Sequence, residues 1–393
     1  AVHIQDDPDE YGDNVHARTD WVLVARDRST LQKVPIADEA KDIMVMRETD
    51  RPKTAYVLKR GDYHSRGEVV GPDTPAALPR FPADAPRNRL GLARWLTAPD
   101  HPLLARVTVN RFWQSLFGRG LVKTAEDFGT QGEQPEYPEV LDWLAREFVR
   151  SGWDVKAMQR TIVLSRTYRQ RSFSSADQMG DDPENVRLAR GPRHRLPAEM
   201  IRDQALAVSG LLVEKLGGAP VHGYDAPDSF KPAAAGKGED LYRRSVYTFW
   251  RRNGPAPVLE AFDVPKRVVC VARRDVTNTP LHALVLLNGP QFVEAARVLG
   301  ESLRRETGGA RDAMVVAACQ KVLGRRPDAT EASILARLHD EQLAWFRAHP
   351  ELAAASLKVG ATSADAALPP AESAAAAVLV NTLMNHDGFV VKR

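Results

Sequence analysis

Cysteine is almost missing from this chain: it has two, Cys270 and Cys319, in 393 residues. Two thiols make at most one bond, so no disulfide framework holds the fold. Both lie in apolar contexts, Val268-Val269-Cys270-Val271 and Ala317-Ala318-Cys319, and read as buried, inert thiols. No hydrophobic run is long enough to span a bilayer, and no signal peptide opens the sequence. Neither sign of charge dominates: the formal net charge is +3, too small to imply affinity for nucleic acid or for a membrane surface. The ten histidines show no His-x-x-x-His spacing, and Cys-x-x-Cys is absent, so no metal site is expected. The acidic run Asp6, Asp7, Asp9, Glu10 and Asp13 lacks the alternation of a calcium loop. Cys-x-x-Cys-His is also absent, which excludes covalent c-type haem. The chain itself is therefore expected to carry no cofactor.

What is present is ordinary globular material, 43% hydrophobic and 27% charged, long enough for two or three units. The first residues are Ala-Val-His rather than methionine, so the sequence reads as part of a longer protein. The expected fold is mainly α, a helical bundle-like domain with an extended, partly β N-terminal arm. Residues 1–80 form the arm or the tail of a preceding domain, with β-prone runs at Trp21–Val24 and Thr54–Leu58 and a tract of spaced prolines from Pro72 to Pro86. Residues 81–217 form a helical subdomain, 218–240 a flexible excursion, and 241–393 a second helical subdomain. Asn88 caps a first helix, Leu103–Phe117 has helical periodicity stopped by Gly118, Pro138 opens a third helix, and Asp154 caps a fourth running to Tyr168. Pro197 starts a helix expected to reach Gly217-Gly218, and Ser245–Trp250 is the best strand candidate in the second half. Pro280 and Pro290 open two helices, and patterns at 311–323, 330–348, 351–358 and 372–386 complete a bundle with short joints.

Three clusters could carry chemistry. The first, His101–Trp153, holds Arg111, Trp113, Glu126 and Asp127. Arg111 can stack on rings while forking to a carboxylate, or Arg106, Arg111, Glu126 and Asp127 can form an ion-pair network. Asp127-Phe128-Gly129 has no accompanying catalytic or phosphate loop, which excludes a kinase. The second, Arg193-His194-Arg195 to Asp203, sets Glu199 and Asp203 four apart on one helical face beside Arg202. Carboxylates so placed sit closer than glycoside hydrolysis requires, and acids in a first turn also complement the helix dipole. The third offers Cys270 and His282 as a nucleophile–base pair if the fold joins them, with Asn278 able to tie its loop and Thr279 able to cap a helix.

Asn110-Arg111-Phe112-Trp113, Thr124–Gly129, Arg195-Leu196-Pro197-Ala198-Glu199 and Thr277-Asn278-Thr279-Pro280-Leu281 together resemble one family. It is the planctomycete-specific domain of unknown function found C-terminal in large exported proteins that carry planctomycete cytochrome c domains. Met46-Arg47-Glu48, Arg60-Gly61-Asp62 and Pro79 match the stretch leading into it, so the resemblance covers most of 45–393. His282 stands where that family usually has glutamine. The resemblance implies export to the periplasm or cell surface, neighbouring domains as partners, and haem c in those neighbours. It implies no reaction. A non-catalytic scaffold or binding module contacting partner domains or glycan is the first expectation. A hydrolase of extracellular polysaccharide, gathering Arg111, Asp127, Glu199, Arg202, Cys270 and Asn278 in one cleft, is the second. An accessory domain for electron transfer by haem elsewhere is the third.

Overall fold

The computed structural model describes residues 54–173, 175–224, 235–250 and 254–392, together with the backbone of five strands between 3 and 45. The acidic run at 6–13, Met46-Arg47-Glu48 and much of the 218–240 excursion lie outside the described residues. The protein is mainly α, and its contacts divide it into two units, Ala1–Ala105 and Arg106–Arg393.

The first unit holds the β structure expected of the arm. Strands β1 (His3–Gln5), β2 (Val15–Arg18) and β5 (Asp42–Val45) form an antiparallel sheet in the order β1-β2-β5, while β3 (Trp21–Ala25) pairs with β4 (Leu31–Pro35). Strands β6 (Ala55–Leu58) and β7 (Arg66–Val70) make a third, two-stranded antiparallel sheet. The proline tract then runs without regular structure to α1 (Arg89–Leu96), where the Asn88 side chain accepts from the Gly91 amide at 3.1 Å. Extended proline-rich backbone leaves its carbonyls free for side-chain donors. Arg87 donates to the Pro72 carbonyl at 2.9 Å, and the buried Trp95 indole donates to the Pro79 carbonyl at 2.8 Å.

Helix α2 (Leu104–Phe117) leads into the second unit and stops at Gly118, whose φ of 83° favours glycine. Helices α3 (Pro138–Arg150) and α4 (Val155–Val163) follow, the latter capped by Asp154 at 3.0 Å but ending five residues short of the expected Tyr168. A short α5 (Ala176–Asp181) interrupts the Ser/Asp-rich stretch. Strand β8 (His194–Arg195) precedes α6 (Ala198–Ser209). That helix ends well before Gly217-Gly218, because Gly210 enters the left-handed region at φ 79° and the amides of Leu211 and Leu212 fold back onto the Leu206 carbonyl. Ser245–Trp250 is not a strand. Ser245–Tyr247 forms a 3-10 turn, and Thr248 makes one isolated parallel bridge to Val221. Its β-branched and aromatic residues had no sheet to join.

The remaining helices are α7 (Pro257–Glu260), α8 (Pro280–Asn288), α9 (Pro290–Thr307), α10 (Arg311–Leu323), α11 (Ala329–Ala348), α12 (Pro350–Ser356), α13 (Pro370–Met384) and α14 (Asp387–Val390). Proline at the first helical position opens α8, α9, α12 and α13, and Asp328 with Glu331 forms a reciprocal capping box on α11. Helix α13 is the centre of the bundle. Its Ala374, Ala375 and Ala376 are buried, and Gly300 of α9 approaches so closely that a Cβ there would lie 2.9 Å from the Ala376 carbonyl carbon. Alanine and glycine let the two backbones meet, and the Phe292, Leu299, Leu303, Met314, Leu379 and Leu383 side chains fill the space around them. Ile201 and Ala205 of α6 share that core. Strand β9 (Val391–Lys392) then returns to pair antiparallel with β8, His194 opposite Lys392 and Arg195 opposite Val391.

Candidate functional site: a cationic cleft

The residues singled out in the sequence have separate places. Asp127 is a loop builder: its Oδ1 accepts from the Gly129 amide at 2.7 Å, while Thr124 Oγ1 donates to the Asp127 carbonyl at 2.8 Å. Arg106 pairs with Asp142 at 2.6 Å rather than with Glu126 or Asp127, so the ion-pair network expected there takes another partner. Glu199 is held by both guanidinium nitrogens of Arg274, at 2.7 and 3.1 Å. Arg202 is buried and fully occupied. It donates to Gln291 Oε1 at 3.0 Å, to the carbonyls of Arg243 and Leu241 at 2.9 and 2.7 Å, and to Ser245 Oγ at 3.1 Å. Asp203 accepts from the Ser245 amide at 2.7 Å. Together Arg202 and Asp203 pin the 241–247 turn onto α6.

Arg111 and Asn278 are exposed. Trp113 is buried, stacked on Phe117 with ring centroids 4.1 Å apart, and Trp250 lies under the Arg267 guanidinium. Cys319 is buried as expected, but Cys270 is exposed, which corrects the reading of both thiols as interior. The apolar run around it forms an exposed stretch of chain, with Val269 and Val276 open to solvent, instead of a core strand. Thr279 makes no side-chain cap on α8. His282, by contrast, is buried, stacked on Phe262 with centroids 5.0 Å apart, and its Nε2 has no hydrogen-bond partner. Burial and the nearby Arg195 push its pKa down, with Asp263 opposing.

A cleft of about 470 Å³ lies elsewhere in the second unit, and none of Arg111, Asp127, Glu199, Arg202, Cys270 and Asn278 lines it. Its walls come from the segment after α2, the stretch between α5 and β8, and the β8–β9 ladder. Each wall is fixed by a specific device. The wholly buried Asn110 amide bonds both backbone groups of Val122, at 3.0 and 2.9 Å, as a neighbouring strand would. Gly120 fits beneath it, since a Cβ would lie 2.5 Å from the Val122 carbonyl oxygen. Replacing Asn110 with leucine leaves those two backbone groups unpaired, a cost of about 1–3 kcal/mol for each buried polar group so stranded. Chemical denaturation should record a loss of about 2–6 kcal/mol for the two together, and a melt like the parent's would deny Asn110 the role.

The second wall is set by Asp182, whose carboxylate accepts from the Val186 and Arg187 amides at 2.8 and 2.9 Å, and by Arg190, which donates to the Pro183 carbonyl at 3.0 Å. The ladder supplies the third. Arg193 pairs with Asp387 across it at 3.1 Å, and the Gly118 Cα faces the His194 ring so closely that a Cβ would meet it at 2.8 Å. Arg195 donates to the Phe262 carbonyl at 3.2 Å and pairs with Asp263. Asp263, at φ 60°, also accepts from the Thr277 amide at 2.8 Å, and these bonds together with Arg195 outweigh burial to hold its carboxyl below the usual range.

Five arginines and one lysine therefore line a cleft that contains two carboxylates, Glu184 and Asp387. Glu184 is shared by Lys123 at 3.0 Å and Arg119 at 3.5 Å, and Asp387 serves Arg193. Arg273 is exposed and has no carboxylate partner among the described residues. His194 adds no charge near neutral pH, because burial, and secondarily Lys392, push its pKa down to about 4. The Arg193-His194-Arg195 triplet is visible in the sequence, but nothing in its spacing distinguishes a cleft wall from ordinary surface charge. Arg119, Lys123 and Arg273 gave no signal beyond their charge.

The fold and cleft define a helical module with an open cationic surface. Residues 88–339 match the family described as PSD1, protein of unknown function (DUF1553), and the chain belongs to that family. No curated protein and no solved structure matches it. No helix among the described residues is long and apolar enough to cross a membrane.

Proposed function

We propose that this chain is a non-catalytic binding module of a large exported, cytochrome c-associated protein, with the cationic cleft as its contact surface for an anionic partner. The imbalance of charge in that cleft carries the reading: cations outnumber carboxylates there, and Arg273 has no carboxylate partner among the described residues. Oriented guanidinium groups in a concave site attract and orient oxyanions. The hydrolase reading is weaker because a general acid or nucleophile needs a carboxyl free to reach substrate, and Asp127 and Glu199 are both engaged in holding the fold. Planctomycete origin, export and haem-bearing neighbours enter with the family resemblance. On this reading the neighbours supply any redox chemistry, and this chain contributes recognition of those domains or of glycan.

The test is to present the full chain to a glycan array and to its neighbouring domains, while following the same mixtures for new products by mass spectrometry. Saturable binding that weakens with salt, without product, is the expected result. A shortened glycan that disappears with Glu199→Gln or Asp127→Asn would replace this proposal with the hydrolase.

A further inference from the structure

We infer that the cleft takes an acidic saccharide, a sugar carrying a carboxylate or sulfate, with the anion on Arg193 and Arg273 and the hydroxyls on Glu184 and Asp387. The inference rests on the binding-module reading and narrows it to a ligand class. Several observations converge on it. Arginine forks suit planar or tetrahedral oxyanions, and Arg193 and Arg273 both present exposed guanidinium groups at this cleft. The two carboxylates in the same space are about half exposed, 50% for Glu184 and 47% for Asp387. An ionised carboxylate only accepts hydrogen bonds, so it matches hydroxyl donors and repels a ligand that is anionic throughout. A bare phosphate chain or nucleic acid backbone is therefore a poorer fit than a molecule with one anionic group among several hydroxyls.

The volume, about 470 Å³, lies in the range of roughly 300–1,000 Å³ typical of small-molecule sites and gives room for sugar rings around the charged group. A neutral sugar fits less well. Such ligands are held largely by exposed aromatic faces, and Phe117, which lines this cleft, is buried against Trp113. The two acceptors also come from different walls. Glu184 belongs to the loop held by Asp182, while Arg193 and Asp387 flank the β8–β9 ladder, so a ligand touching both groups would bridge the cleft.

Calorimetric titration of the full chain with four probes tests this: a galacturonic acid trisaccharide, a sulfated trisaccharide, a neutral glucose trisaccharide and inorganic sulfate. One acidic trisaccharide should bind at least about tenfold more tightly than either the neutral sugar or sulfate, and which one binds separates carboxylate from sulfate recognition. The double substitution Arg193→Gln/Arg273→Gln should weaken that binding about tenfold or more, the scale of one charge-assisted hydrogen bond. Both arginines are exposed, so an unchanged melting curve would show that folding is intact. Glu184→Gln should weaken the acidic trisaccharide but leave sulfate unaffected or improved. Sulfate binding as tightly as the acidic sugars would overturn the saccharide assignment and leave a simple anion-binding module. Equal binding of the neutral sugar, or no binding of any probe, would also overturn it. Cleavage of a probe would instead remove the non-catalytic reading on which it rests.

Discussion

Replacing Glu294 with alanine is expected to lower the stability of the second unit by about 3–5 kcal/mol, the scale for stripping one member from a buried charged network. This carboxylate is completely buried in α9 and accepts from five donors. The Thr362 amide and hydroxyl approach at 2.7 and 2.8 Å, the Ala361 amide at 2.8 Å and the Tyr242 hydroxyl at 2.9 Å, with the Tyr224 hydroxyl as the fifth. Gly360, at φ 104°, lets the backbone come this close, since a Cβ there would lie 2.5 Å from Glu294 Cδ. Burial alone would raise the carboxyl's pKa, but these hydrogen bonds outweigh it and hold the pKa below the ordinary glutamate value. A depressed folded-state pKa contributes stability that is present above the unfolded value and lost as pH falls through the folded one. Urea unfolding at neutral pH should therefore show the full loss for Glu294→Ala. The difference between parent and variant should shrink once the solution is acid enough to protonate Glu294. Glu294→Gln should also destabilise, because its NH₂ end would face donors. A neutral-pH loss under 1 kcal/mol for the alanine variant would contradict the role assigned to Glu294.

The second large effect follows from His194. Its folded pKa of about 4 lies below the ordinary histidine value of 6.5, through burial first and Lys392 second. The unfolded chain then binds the proton that the folded chain refuses. The contribution is complete above pH 6.5, declines as pH falls towards about 4, and is gone below it. The span corresponds to roughly 3 kcal/mol at most. His282 and His339, whose pKa values burial also lowers, act in the same direction, so the diagnostic quantity is a difference between variants. His194→Gln should flatten the fall in stability between pH 6.5 and 5 relative to the parent, read as urea midpoints. Parallel profiles for the two proteins would show that His194 is hydrated and titrates normally.

Local signals carried the helices well. Asn88, Pro138, Asp154, Pro280 and Pro290 mark helix starts because capping and the fixed proline φ are properties of a few consecutive residues. Errors arose where the outcome depended on distant partners. Ser245–Trp250 has strand-forming side chains, yet its first amide is claimed by Asp203 of α6 and its approach is fixed by Arg202, which holds the Leu241 and Arg243 carbonyls just before it. The Val-Val-Cys-Val run looks like interior strand, yet no sheet receives it and Cys270 stays exposed. The cleft was least legible. Its charges are ordinary surface arginines until the β8–β9 ladder, the Asn110 clasp and the Asp182 loop place them around one space. Asn110 and Arg195 did stand inside the motifs that carried the family resemblance, but as structural supports of the walls their contribution could not be read from spacing.

The ladder has one more consequence, for biosynthesis. Arg193 and Asp387 face one another although 194 residues separate them. A ribosome working at about 5–20 residues per second needs roughly ten to forty seconds to travel between the two. A nascent chain that has already completed the Asn110 clasp and the Asp182 loop thus lacks one side of the cleft throughout that interval. Completion of the cleft is thereby deferred until translation has passed Asp387, and a stalled or prematurely terminated product would carry Arg193 without its carboxylate partner.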